Sequence, residues 1–106
     1  MNIAFLGNFA IEKGSKIFKE IVLEIFKINN SHRFYIFGYI GDIDSYEKIK
    51  HKLSHQQSFY YDCLPDLLKK YKIDLGIIPS LFPETFCKVF FESIKYCDII
   101  IPYYVF

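Results

Sequence analysis

NIAFLGNFAIEKGSKIFKEIVLEIFKI, residues 2–28, changes its hydrophobic period partway along. Residues 2–7, NIAFLG, are a short unbroken apolar run ending in glycine, which predicts a strand buried on both faces. From residue 16 to residue 28, Ile17, Phe18, Ile21, Val22, Ile25 and Phe26 fall on one stripe at helical spacing, which predicts an amphipathic helix. A buried strand followed at once by such a helix is the opening of a β–α–β crossover, and the rest of the chain shows whether the unit repeats.

It does repeat. RFYIFGY (33–39) is a second apolar strand ending near a glycine, and DSYEKIKHKL (44–53) is polar and suits a short helix with a thin apolar face. QSFYYDC (57–63) reads as a third strand. LPDLLKKYK follows, with Pro65 suited to a first helical turn and Leu64, Leu67, Leu68 and Tyr71 on one side. IDLGIIP (73–79) is the fourth strand, a helix from about Thr85 to Cys97 carries Phe86, Val89, Phe90 and Ile94, and DIIIPYY (98–104) is the fifth strand. Parallel neighbours need right-handed crossovers, and helices span them. The expected class is therefore α/β: a doubly wound parallel sheet of about five strands with helices on both faces. The 106 residues make one domain, residues 1–106, with no repeat, low-complexity tract or linker. A fifth strand with no helix after it reads as the end of a fragment.

Composition narrows the function classes. Hydrophobic residues make up 52% of the chain, with 12 Phe and 9 Tyr, so a packed core is expected rather than disorder. Such an aromatic load also predicts apolar surface that meets a partner, self-association included. Thirteen basic side chains against 12 acidic ones, a formal charge of +1, leave no broad field to hold nucleic acid by its phosphates. Apolar runs are broken by proline or acid well short of the roughly 20 residues a membrane helix needs, so no transmembrane segment is expected. Cys63, Cys87 and Cys97 form neither an even framework nor a CxxC pair, and the start does not resemble a signal peptide. The expected location is the reducing cytoplasm.

In doubly wound sheets the ligand lies beyond the carboxyl ends of the strands. The first loop there, GNFAIEKG (7–14), is neither a GxGxxG fingerprint nor a P-loop. It offers Lys13 and backbone N–H groups near a helix start, which suit an anion such as a diphosphate; a solvated lysine beside a turn glycine is the plain alternative. After the fourth strand comes PSLFPETFCKVFFES (79–93), with Glu84 and Glu92 seven residues apart in between. Taken alone, Glu84 is a carboxylate favoured near a helix N-terminus, and Glu92 a solvated acid between Lys88 and Lys95. Along a helix, however, their separation is a rise of about 12 Å, near the span from a sugar ring to a ribose across a diphosphate.

These residues resemble a known family. E-T-F-C-x-V-x-x-E, preceded by P-S-x-x-P and followed by an apolar strand, is similar to the donor-binding half of the retaining glycosyltransferases of family 4. Those enzymes have the GT-B fold of two Rossmann-like domains. GNFAIEKG likewise resembles the family's G-R-x-x-x-x-K-G, and FLG, KGS, FYIFGY, LPDLL and IIPSLFPETF come in the expected order over nearly the whole chain. The resemblance implies a nucleotide diphosphate sugar as donor substrate, with no separate cofactor and no metal, in polysaccharide or glycoconjugate biosynthesis. It gives Glu84 the transferred sugar, Glu92 the ribose, and Lys13 the diphosphate. Gly7, Asn8 and the N–H groups of Thr85, Phe86, Cys87 and Lys88 complete the donor site, with Lys13 and Glu84 the catalytic pair. It also implies an N-terminal acceptor-binding domain, missing from this sequence, without which the segment is expected not to turn over.

The departures from the family pattern are specific. Asn8 stands where arginine is usual, Cys87 replaces glycine or serine, and Cys97-Asp98-Ile99 replaces G-x-P. They motivate a second expectation, a non-catalytic nucleotide-binding or assembly module on the same fold. Other constellations carry less. His51 and His55 have zinc spacing without a third ligand, which leaves a solvated helix as the expectation. Cys87 has no histidine placed to activate it and reads as a packing residue.

Overall fold

The structure, a computed structural model, describes residues 1–59, 63–80 and 88–101. Five strands, β1 (Asn2–Leu6), β2 (Arg33–Phe37), β3 (Leu53–Gln57), β4 (Leu75–Ile77) and β5 (Asp98–Ile100), form one sheet in the order β3-β2-β1-β4-β5. Every pairing is parallel, so the expected α/β, doubly wound, Rossmann-like sheet is what the chain forms. The helices are α1 (Ser15–Ile28), α2 (Ile43–Ile49), α3 (Cys63–Lys70) and α4 (Lys88–Ser93), with short 3-10 turns at Ile11–Lys13 and Lys50–Lys52.

Strand alternation builds two cores. Ile3 and Phe5 of β1 face the same side as Phe34 and Ile36 of β2 and Ile77 of β4, where Phe18 and Val22 of α1 and Ile49 of α2 cover them. Ala4 and Leu6 turn to the opposite side with Tyr35, Phe37 and Ile78, beneath Leu64, Leu67 and Leu68 of α3 and Val89 of α4. The first core is aromatic: Phe5 meets Phe9 and Phe18 edge-on at 5.1 and 5.4 Å, and Phe18 meets Phe34 at 6.3 Å. Edge-to-face contacts of this kind add about 0.5–1.5 kcal/mol each to the burial of the rings. The central strands are buried on both faces, which is why they read as continuous apolar runs.

The third strand differs from expectation. It lies at Leu53–Gln57, not at 57–63, and α2 with its following 3-10 turn is correspondingly shorter than the helix expected over 44–53. Among the described residues β3 pairs only with β2, so it is an edge strand there, its Ser54 and Gln57 are exposed, and an apolar run is not required of it. Ser58 and Phe59 follow as irregular chain, with Phe59 packed against the second core, and residues 60–62 lie outside the described residues. The helix expected from Thr85 is described from Lys88 to Ser93 only. Its expected stripe residue Ile94 falls beyond the helix end and is exposed, as is Ile17 at the start of α1.

His51 and His55 are also relocated. His51 is exposed in the 3-10 turn, whereas His55 lies in β3 and stacks on Tyr71 at 4.8 Å, so the two never share a helical face. No group of three or more metal-ligating side chains occurs among the described residues. Nor is any described helix long and apolar enough to cross a membrane.

Candidate site at the carboxyl edge

β1 and β4 are neighbours, yet the helices that follow them pack on opposite faces, α1 over the aromatic core and α4 over the other. Their chains part at the carboxyl edge, and that divergence is the topological switch point where open α/β sheets bind ligands. Residues 7–14 leave β1 there, and Ile78, Pro79 and Ser80, all buried, leave β4.

The two loops touch through glycine. Gly14, with φ +89°, sits in the left-handed region as the cap of α1, and a side chain there would run into the Pro79 carbonyl and stand 2.7 Å from the Pro79 Cγ. Lys13, immediately before it, is half-buried at the end of the 3-10 turn, its N–H donating to the Ala10 carbonyl at 3.0 Å. The lysine expected to meet a diphosphate is thus carried on a loop braced against the strand-four loop.

Gly7 is the second backbone device. It has φ +108°, its N–H donates to the Phe37 carbonyl at 2.9 Å, and the space a side chain would fill is open. Gly38, by contrast, lies against the Gly7 carbonyl with no room for a Cβ. Pairing between the first two chains continues past the strands: the Phe9 N–H donates to the Tyr39 carbonyl at 2.7 Å and the Phe9 carbonyl accepts from Gly41 at 2.9 Å and Asp42 at 2.8 Å. Asn8 is exposed at this edge.

Of the other expected site residues, Glu92 is half-buried in α4, and Lys88 is the first described residue of that helix. Glu84, Thr85, Phe86 and Cys87 lie outside the described residues, and so does the 12 Å separation anticipated between the two glutamates.

Sequence reading passed over one group here. Asp42 is buried as the N-cap of α2: one carboxylate oxygen accepts from the Ser45 N–H at 3.2 Å, and the other from the Ser15 hydroxyl at 2.6 Å. Burial pushes its pKa up, but the hydrogen bonds from Ser15 and Ser45, with the nearby Lys16 charge, outweigh that and hold it below the usual value. The available signal was an aspartate just before a helix, three residues ahead of a serine.

No protein-family model matches this sequence, and no curated protein does. Among solved structures, the chain is similar to the C-terminal domain of a glycosyl transferase group 1 family protein, LpcC, from Francisella tularensis, with a TM-score of 0.71 and 16% sequence identity. The alignment covers 98% of this chain and 58% of that one. At that identity the likeness establishes a common fold.

Proposed function

We propose that the chain is the donor-binding half of a retaining glycosyltransferase, holding a nucleotide diphosphate sugar across the carboxyl edge between β1 and β4. The observation that carries this reading is the contact of Gly14 with Pro79, which brings the Lys13 loop against the chain leading to Glu84 and Glu92. The fold shared with a glycosyl transferase domain supports it.

In this reading the glycosyl group passes from the donor to an acceptor hydroxyl. The anomeric C–O bond breaks, its electron pair leaves on the nucleotide diphosphate, a new bond forms to the acceptor oxygen, and the acceptor's proton passes to an oxygen of the departing diphosphate. The protein's main task is to stabilise charge developing on the departing diphosphate. Lys13 supplies a cation, and the N–H groups of Thr85, Phe86, Cys87 and Lys88 supply backbone dipoles. Glu84 orients the transferred sugar and Glu92 accepts from the ribose hydroxyls. Gly7 leaves its backbone accessible at the same edge. An acceptor-binding domain provides the remaining groups, so this segment alone binds the donor without turnover.

The exposed Asn8, in place of a second cation, favours one other reading, a nucleotide-binding module that performs no transfer. Titration of the chain with UDP-, GDP- and dTDP-sugars, followed by amide chemical shifts, tests donor binding directly. Shifts clustered at residues 7–14 and around Glu92 are expected with one nucleotide series, and absence of shifts with all three would refute the proposal. Joined to an acceptor-binding domain, a transferase moves the sugar with its anomeric configuration kept, whereas the transfer-free module binds the donor and leaves it intact.

A further inference from the structure

The carboxyl end of the second strand is where dinucleotide-binding folds place an acid for the ribose hydroxyls. Asp42 stands five residues beyond the end of β2, but both of its carboxylate oxygens are already engaged within the protein. Ser15, its 2.6 Å donor, is fully buried and is the first residue of α1, directly after Lys13 and Gly14. The Asp42 backbone is fixed as well, since its N–H donates to Phe9 at 2.8 Å and its carbonyl accepts from Tyr46 at 3.1 Å. A carboxylate gripped at both oxygens on a fixed backbone is a rigid post, and Ser15 hangs from it.

We propose that Asp42 is a positioning residue: through Ser15 it fixes the start of α1 and so sets where Gly14 meets Pro79 and where Lys13 stands. Three loops are thereby tied in series across the carboxyl edge, from β2 through Asp42, from β1 through Ser15 and Gly14, and from β4 through Pro79. Charge makes the first tie stronger than an ordinary hydroxyl contact, because hydrogen bonds to an ionised acceptor are about twice as strong as neutral ones. Asp42 touches no substrate in this account and acts only through the loop. Its consequence for the donor rests on the function proposed above; its consequence for the loop does not.

Ser15→Ala removes the tie while leaving Asp42 to cap α2, and Asp42→Asn keeps the shape while removing the charge. The amides of Lys13, Gly14 and Ser15, bonded to Ala10 and Ile11 at 3.0–3.1 Å, report loop opening by hydrogen exchange. In Ser15→Ala their exchange is expected to quicken at least about tenfold while Ala4 and Phe5 in β1 keep wild-type rates, which separates local loosening from global unfolding. Asp42→Asn shows the same pattern more weakly. Unchanged exchange at residues 13–15, or equal acceleration everywhere, overturns the proposal. For a donor that wild-type protein binds, Ser15→Ala is expected to lose about five- to tenfold in affinity, and equal affinity in the variant also overturns it. A wild-type chain that binds no nucleotide sugar defeats the donor reading instead, and the exchange rates still decide whether Asp42 positions the loop.

Discussion

The two strand–helix units that meet at the switch point are built unequally. β1 pairs along five residues with β2, and its helix α1 runs for 14 residues and seals Phe18 and Val22 completely. β4 pairs along three residues on each side, and in the described part of α4, Lys88–Ser93, Val89 is half-buried, with Ile94 exposed just after it. The first unit carries Phe5, Phe9 and Phe18 of the aromatic core; the second packs Ile78 and Val89 into the other core and meets the first unit again where Gly14 touches Pro79.

Truncation in each unit tests that inequality most strongly. Phe18→Ala removes a ring that touches Phe5, Phe9 and Phe34 and is expected to cost about 3–5 kcal/mol. Val89→Ala in the other unit is expected to cost only about 1 kcal/mol, because the side chain is half-buried and loses two methyl groups. Urea denaturation of both variants measures the difference, and equal losses would break the comparison.

Gly14→Ala probes the joint between the units. The new methyl group must both occupy a left-handed backbone position and displace the Pro79 carbonyl, so a loss of about 2–4 kcal/mol is expected. By the same measurement Gly7→Ala, strained in φ but facing open space, is expected to lose less, about 1 kcal/mol.

A smaller effect is expected from acid. Asp42 has a folded pKa below its ordinary value near 3.8, so its ionised form stabilises the fold fully above that pH, and the contribution disappears as pH falls through the lower folded value. Thermal unfolding of wild type and Asp42→Asn should therefore differ most at neutral pH and converge below about pH 4. A gap that is constant from pH 6 to pH 3 would show that the charge of Asp42 contributes nothing.

How far the sequence could be read follows from the same asymmetry. Burial on both faces forces apolar residues onto β1, β2 and β4, so NIAFL, RFYIF and LGI were legible as strands. Edge strand β3 is under no such pressure: LSHQQ carries no strand signal, while the aromatics of QSFYYDC drew the expectation to the wrong place. The end of α4 was overextended because Ile94 has helical spacing but lies past the last turn, which closes at Ser93. The sequence singled out the loop from Gly7 to Gly14 by its position after the first strand, and the structure puts that loop against Pro79. Asp42 and Ser15 were not singled out, since their pairing spans two loops 27 residues apart and depends on the tertiary fold.

The most direct test is the binding of nucleotide diphosphate sugars by the wild-type chain beside Glu92→Ala, with affinity from calorimetry and stability from denaturation. The account predicts measurable binding of one nucleotide series, at least about tenfold weaker in Glu92→Ala, with stability changed by less than about 0.5 kcal/mol. Binding that is equal in the two proteins, or an affinity loss matched by an equal loss of stability, would contradict the assignment of this edge as a donor site.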